Sequence, residues 1–161
     1  FEMTILYNSG NTSRKVAAEI WKDSIESLND KFTINIAERK WGTYLGEMVG
    51  AKLPIYIIGW IADFPDPHNF VTPFMHSTGT FSQWQGYGNE EVDELIDKGI
   101  TSTDPDERED AYYDLQSVYY EDVPSVVLTE PTVRRYLRDW VEGYTYNPIF
   151  PGVYCYPISK G

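Results

Sequence analysis

The chain has 161 residues, with 13 Lys+Arg against 25 Asp+Glu and a formal net charge of -12. That size suits one compact unit with a real core and leaves no room for two full lobes and a hinge. Its negative field repels phosphate backbones and anionic lipid, which sets nucleic acid aside as a partner; it favours cationic or amine-bearing ligands, and it also keeps a chain soluble whatever its task. The single cysteine, Cys155, excludes an internal disulfide and any paired-thiol metal or redox spacing. No stretch approaches the roughly 18 uninterrupted apolar residues of a spanning helix. The chain opens in a strand-like run, without an initiating Met and without the basic and apolar segments of a signal peptide, as an excised piece would. Aromatic residues reach 16% of the chain, which fits cores, interfaces and ligand clefts alike.

Residues 2 to 8 read as a strand ending in the turn Asn8-Ser9-Gly10. A helix follows, capped by Asn11 or Thr12, with Val16, Ala17, Ile20, Trp21, Ser24, Ile25 and Leu28 as its buried stripe. Phe32, Ile34 and Ile36 alternate with polar neighbours as a second strand, one face wet. A shorter helix runs from Trp41 to about Val49 and closes at Gly50. The apolar run at 53 to 58 lacks polar alternation, which predicts a central, parallel strand buried on both faces. Strand, helix, strand, helix, strand is the order of an α/β layered sheet, flanked by helices.

The second half reads as more helical. Asn89 caps a helix whose inner face is Val92, Leu95, Ile96 and Ile100, with acidic residues in its first turn to suit the helix dipole. Asp104, Pro105 and Glu107 start another, with Ala111, Tyr112, Leu115, Val118 and Tyr119 inward and Pro124 as its stop. Short strands are expected at Ser125 to Thr129, buried, at Thr132 to Leu137, and at Val153 to Ile158 on an edge.

The stretch Gly59-Trp60-Ile-Ala-Asp63-Phe-Pro65-Asp66-Pro67-His68-Asn69-Phe70 lies just beyond the third strand, where α/β sheets take their ligands. Two aspartates, two prolines and a histidine there make either a stiff polar turn or a ligand site. Asp63, Asp66 and His68 form a possible carboxylate and imidazole metal cluster, although a zinc site takes three or four protein ligands and His76 is the only other histidine. A hydrolase reading pairs Asp63 with Glu130 as acid and base. No Gly-x-Ser-x-Gly, phosphate-cradling glycine loop or Cys/His dyad supports catalysis. Asp66 between two prolines reads as a turn residue bonding nearby backbone. Trp60, Phe81, Trp84 and Tyr87 either line a pocket or pack in a core; Trp84 is the stronger ligand candidate of the last three because 81 to 86 looks like a loop.

Several of these stretches, in this order, resemble the C-terminal lobe of the peptide-binding extracytoplasmic receptors of ABC transporters, the dipeptide and oligopeptide solute-binding proteins. The likeness rests on the opening strand to Asn8, on Gly59-Trp60-x-x-Asp63-x-Pro65-Asp66-Pro67-x-Asn69-Phe70, and on Tyr87-x-Asn89-x-Glu91-Val92-Asp93-x-Leu95-Ile96. It continues through Asp104-x-x-x-Arg108, Tyr113-x-x-Gln116, Glu121-Asp122-x-Pro124 and a tail from Val141-x-Gly143-Tyr144 to Ile158-x-Lys160. The resemblance implies one lobe of a periplasmic-binding-protein-like (type II) fold over residues 1–161, without catalysis or cofactor. From about residue 138 the tail would pair with the missing N-terminal lobe. The partners implied are a small solute, an oligopeptide or dipeptide, and the transmembrane subunits of an ABC permease; the location implied is extracytoplasmic, with the signal sequence outside this chain. It also implies that Asp63 pairs with a peptide's α-ammonium, with Gly59 and Trp60 beside it. Some oligopeptide receptors carry an Arg three residues before the Trp, which meets a ligand carboxylate; this chain has Ile57 there.

Overall fold

The computed structural model describes residues 1–130, 132, 134–147 and 152–161. Among them the elements run β1 (Glu2–Asn8), α1 (Thr12–Glu26), β2 (Thr33–Arg39), α2 (Trp41–Val49), β3 (Ile55–Tyr56), α3 (His68–Met75), α4 (Thr80–Gln85), α5 (Glu90–Thr101), α6 (Pro105–Asp122), β4 (Val141–Glu142) and β5 (Ser159–Lys160). They fall into two compact units. The first holds Phe1–Gly59 and Thr80–Tyr87, the second Trp60–Gly79 and Gly88–Gly161.

The first unit is built on a parallel sheet of order β2-β1-β3. Ile5, Leu6 and Tyr7 are consecutive and all buried, so both faces of β1 are covered and it takes the centre. This corrects the expectation for the apolar run at 53 to 58, which is parallel but lies on an edge. Only Ile55 and Tyr56 enter the ladder, opposite Ile5 and Leu6, and the Ile57 amide adds one more bond to the Leu6 carbonyl. Pro54 has no N–H to give, so the run joins late. Where the ladder stops, the buried Tyr44 hydroxyl of α2 donates to the Ile57 carbonyl at 2.8 Å and lies 3.3 Å from that of Leu6.

On one face α1 packs Ala17, Ala18, Trp21 and Ile25 against Ile5, Tyr7 and Ile34. The expected stripe is rotated: Val16, Ile20 and Leu28 are exposed, and the fully buried residue is Ala18. Apolar residues three and four apart start equally well from 16 or from 17, and the small Ala18 lets the helix approach the sheet closely. Asn11 is the cap, its side chain accepting from the Arg14 amide. Farther along α1, Lys22 donates to the Ile34 carbonyl at 2.6 Å and Glu26 accepts from the Ile34 amide at 2.8 Å. These bonds occupy backbone groups that β2 would otherwise offer to a stray strand.

The second unit is helical at its centre. Val71 of α3, Val92 and Ile96 of α5, and Tyr112 and Leu115 of α6 form one buried cluster. Asn89 and Asp104 cap α5 and α6 as expected, each accepting from two backbone amides. Asn89 also donates to Asp122, joining the start of α5 to the end of α6. The inner face of α5 differs at one place: Ile100 is exposed and Gly99 is buried, its Cα facing the Tyr112 ring. Pro124 follows the helix end as read, with Val123 left-handed at φ +49°.

The later strands differ more. Residues 125–129 form no strand, and Val127 is 84% exposed. Branched apolar residues make a strand only when they pair with another strand, and these pair with none among the described residues. The described residues of 132–137 are likewise not in strand, and Val133 lies outside the described set. The last strand falls at Ser159–Lys160 rather than 153 to 158, antiparallel to Val141–Glu142. Between them Gly143 turns at φ +76° against the Pro157 carbonyl, where any side chain would collide.

Candidate functional site

Trp60 and Asp63 belong to the second unit, Gly59 and Trp84 to the first. In the second unit, Asn69 at the start of α3 holds the segment. Its Oδ1 accepts from the Asp63 amide at 2.9 Å and from Trp60 Nε1 at 3.1 Å. The indole also meets Phe74 edge to face, with centroids 5.7 Å apart. The Asp63 backbone is therefore pinned, yet its exposed carboxylate makes no hydrogen bond or ion pair among the described residues. A fixed backbone with an unspent anion is the arrangement that an incoming ammonium completes.

Asp66 is spent. Oδ1 accepts from the His68 amide at 2.9 Å and Oδ2 from Arg108 Nη2 at 2.7 Å. The Arg108 guanidinium holds the Asp66 carboxyl below its ordinary value, against a contrary push from burial. Beside it, the His68 ring stacks on Phe64 and its Nδ1 lies 2.6 Å from the Thr72 hydroxyl. Among the described residues no group of three or more His, Cys, Asp or Glu is placed to hold a metal ion. The cluster of Asp63, Asp66 and His68 thus divides: two members fasten the turn, and only Asp63 faces outward unpaired.

An open groove of about 700 Å³ runs beside the Arg108 pair, lined by Pro67, Ser102, Tyr112, Tyr113 and Gln116 among others. None of Gly59, Trp60, Asp63 and Trp84 lines it.

In the first unit, Gly59 stands where the chain leaves the β3 run, close to the Arg14 guanidinium. Ile57, two residues earlier, is buried in the core cluster with Ile5 and Tyr7. Trp84 lies on α4 and not on a loop, which corrects the reading of 81 to 86. It packs edge to face on buried Phe81 at 5.0 Å, three residues earlier on the same helix. Phe81 and Trp84 at that spacing are a helical pair, too short a run for periodicity to register. Gln85 of α4 donates to the Tyr56 hydroxyl at 3.1 Å, fastening α4 to the β3 strand.

The residue that the sequence reading passed over is Asn69. It was visible only as one member of a motif, and nothing local marks an Asn nine positions after a Trp as its hydrogen-bond acceptor.

A family model described as bacterial extracellular solute-binding proteins, family 5 Middle, matches residues 1–82. The chain is similar to di/tripeptide-binding protein 4 of Pseudomonas aeruginosa (strain UCBPP-PA14), 26% identical over 136 residues that make up 83% of this chain and 25% of that protein. It is similar to the periplasmic oligopeptide-binding protein OppA of Haemophilus influenzae, 24% identical over 89% of this chain and 26% of that one. Among solved structures, the dipeptide binding protein from Pseudoalteromonas sp. SM9913 in complex with Met-Leu superposes with a TM-score of 0.74 at 26% identity, covering 100% of this chain and 32% of that one. The Escherichia coli murein tripeptide binding protein MppA shares the fold at a TM-score of 0.73 and 22% identity, over 92% of this chain and 28% of that one. The chain spans about a quarter of the length of the curated relatives it matches. With 82 of its 161 residues inside the family match, the chain belongs to the bacterial extracellular solute-binding proteins, family 5 Middle.

Proposed function

We propose that this chain is the C-terminal lobe of an extracytoplasmic receptor that captures a di- or oligopeptide and delivers it to the permease of an ABC importer, without catalysis. The solute is enclosed when the absent N-terminal lobe closes over this one, and the tail from about residue 138 pairs with that lobe. In the second unit Asp63 takes the ligand's ammonium and Trp60 supplies an aromatic wall; in the first unit Trp84 offers the ligand an aromatic face and Gly59 its backbone. The observation that carries the reading is the Asp63 carboxylate, unpaired among the described residues on a backbone fixed by Asn69. Support also comes from relatives whose names record binding of di- and tripeptides and of oligopeptides. This lobe alone holds half of such a site, so in isolation it binds peptide weakly.

The test uses the full-length receptor and peptides with a free or an acetylated N-terminus. Asp63→Asn weakens binding of the free-amine peptide by about 1.5–3 kcal/mol, the worth of a charge-assisted hydrogen bond, and leaves the acetylated peptide unaffected. Equal affinity of wild type and variant for the free-amine peptide, by calorimetry, would return Asp63 to the role of a turn residue.

A further inference from the structure

We draw no further inference here: the strongest candidate, the open groove of about 700 Å³ that Pro67, Pro105, Tyr112, Tyr113 and Gln116 line along α6 in the second unit, is an unpartnered, mostly apolar surface, and nothing in the structure shows what covers it.

Discussion

Asp66 Oδ2 and Arg108 Nη2 meet at 2.7 Å across 42 residues of sequence, tying the proline-rich segment after Trp60 to the first turns of α6. Arg108 also donates through Nε to the Gly99 carbonyl at 2.8 Å, so one side chain fastens the turn, α5 and α6. Asp66→Asn therefore lowers the melting temperature at pH 7. The Asp66 carboxyl lies below its ordinary value of 3.8 because the folded state favours its charged form. Its stabilisation is thus full above 3.8 and is lost as pH falls through the depressed folded value. Melting curves of wild type and variant converge in strong acid; a gap that stayed constant from pH 7 to pH 2 would mean that the charge is irrelevant.

Asn69 is the clamp on the Trp60 to Asp63 segment. Asn69→Ala removes the acceptor of both the Trp60 indole and the Asp63 amide, at a cost of about 1 kcal/mol for each exposed bond at most. Peptide affinity of the full receptor falls as well, because the Asp63 backbone is released. Asn69→Asp keeps an acceptor at that place and retains most of the stability. Chemical denaturation separates the two variants, and equal midpoints would show that the clamp contributes nothing.

Tyr44 is fully buried and its hydroxyl bridges the place where the β1–β3 ladder stops. Tyr44→Phe leaves the Ile57 carbonyl short of a donor and destabilises by about 1–2 kcal/mol. Burial pushes the Tyr44 hydroxyl from 10.0 up to about 12. The unfolded chain therefore releases this proton first, and wild-type stability falls as pH rises from 10.0 toward about 12. That part of the alkaline slope is missing in Tyr44→Phe. Denaturation series at pH 9, 10 and 11 read it directly, and parallel slopes would contradict the assignment.

Gly99 tests packing against propensity. Replacing a helical Gly by Ala ordinarily stabilises by about 1 kcal/mol. Here the new Cβ would lie 2.7 Å from Cζ of Tyr112, a ring buried in the α5–α6 cluster. The ring has little room to yield, and Gly99→Ala destabilises by about 1–3 kcal/mol. A raised melting temperature would show that the ring moves aside freely.

Local chemistry was enough to set much of this protein. Asn89 and Asp104 announced their helices because a cap needs only its own side chain and the next three amides. The alternation around Ile34 and the closure of α2 at Gly50 were legible for the same reason, and the Gly59 to Phe70 motif marked the segment that bears Asp63. Tertiary structure decided what depends on a partner distant in sequence. Which of two overlapping stripes α1 buries was settled by the fit of Ala18 to the sheet, and the rank of β3 by how few of its amides reach β1. Residues 125–129 carry strand composition but pair with no strand among the described residues, and whether a segment finds a partner is invisible in a linear chain. The division of labour among Asp63, Asp66 and His68 came from Asn69, Arg108 and Thr72, whose hydrogen bonds exist only once the helices have packed. The ion pairs are likewise a property of the folded chain: sequence counts the charges, and only packing brings Arg108 to Asp66 across 42 residues and Arg39 to Glu47.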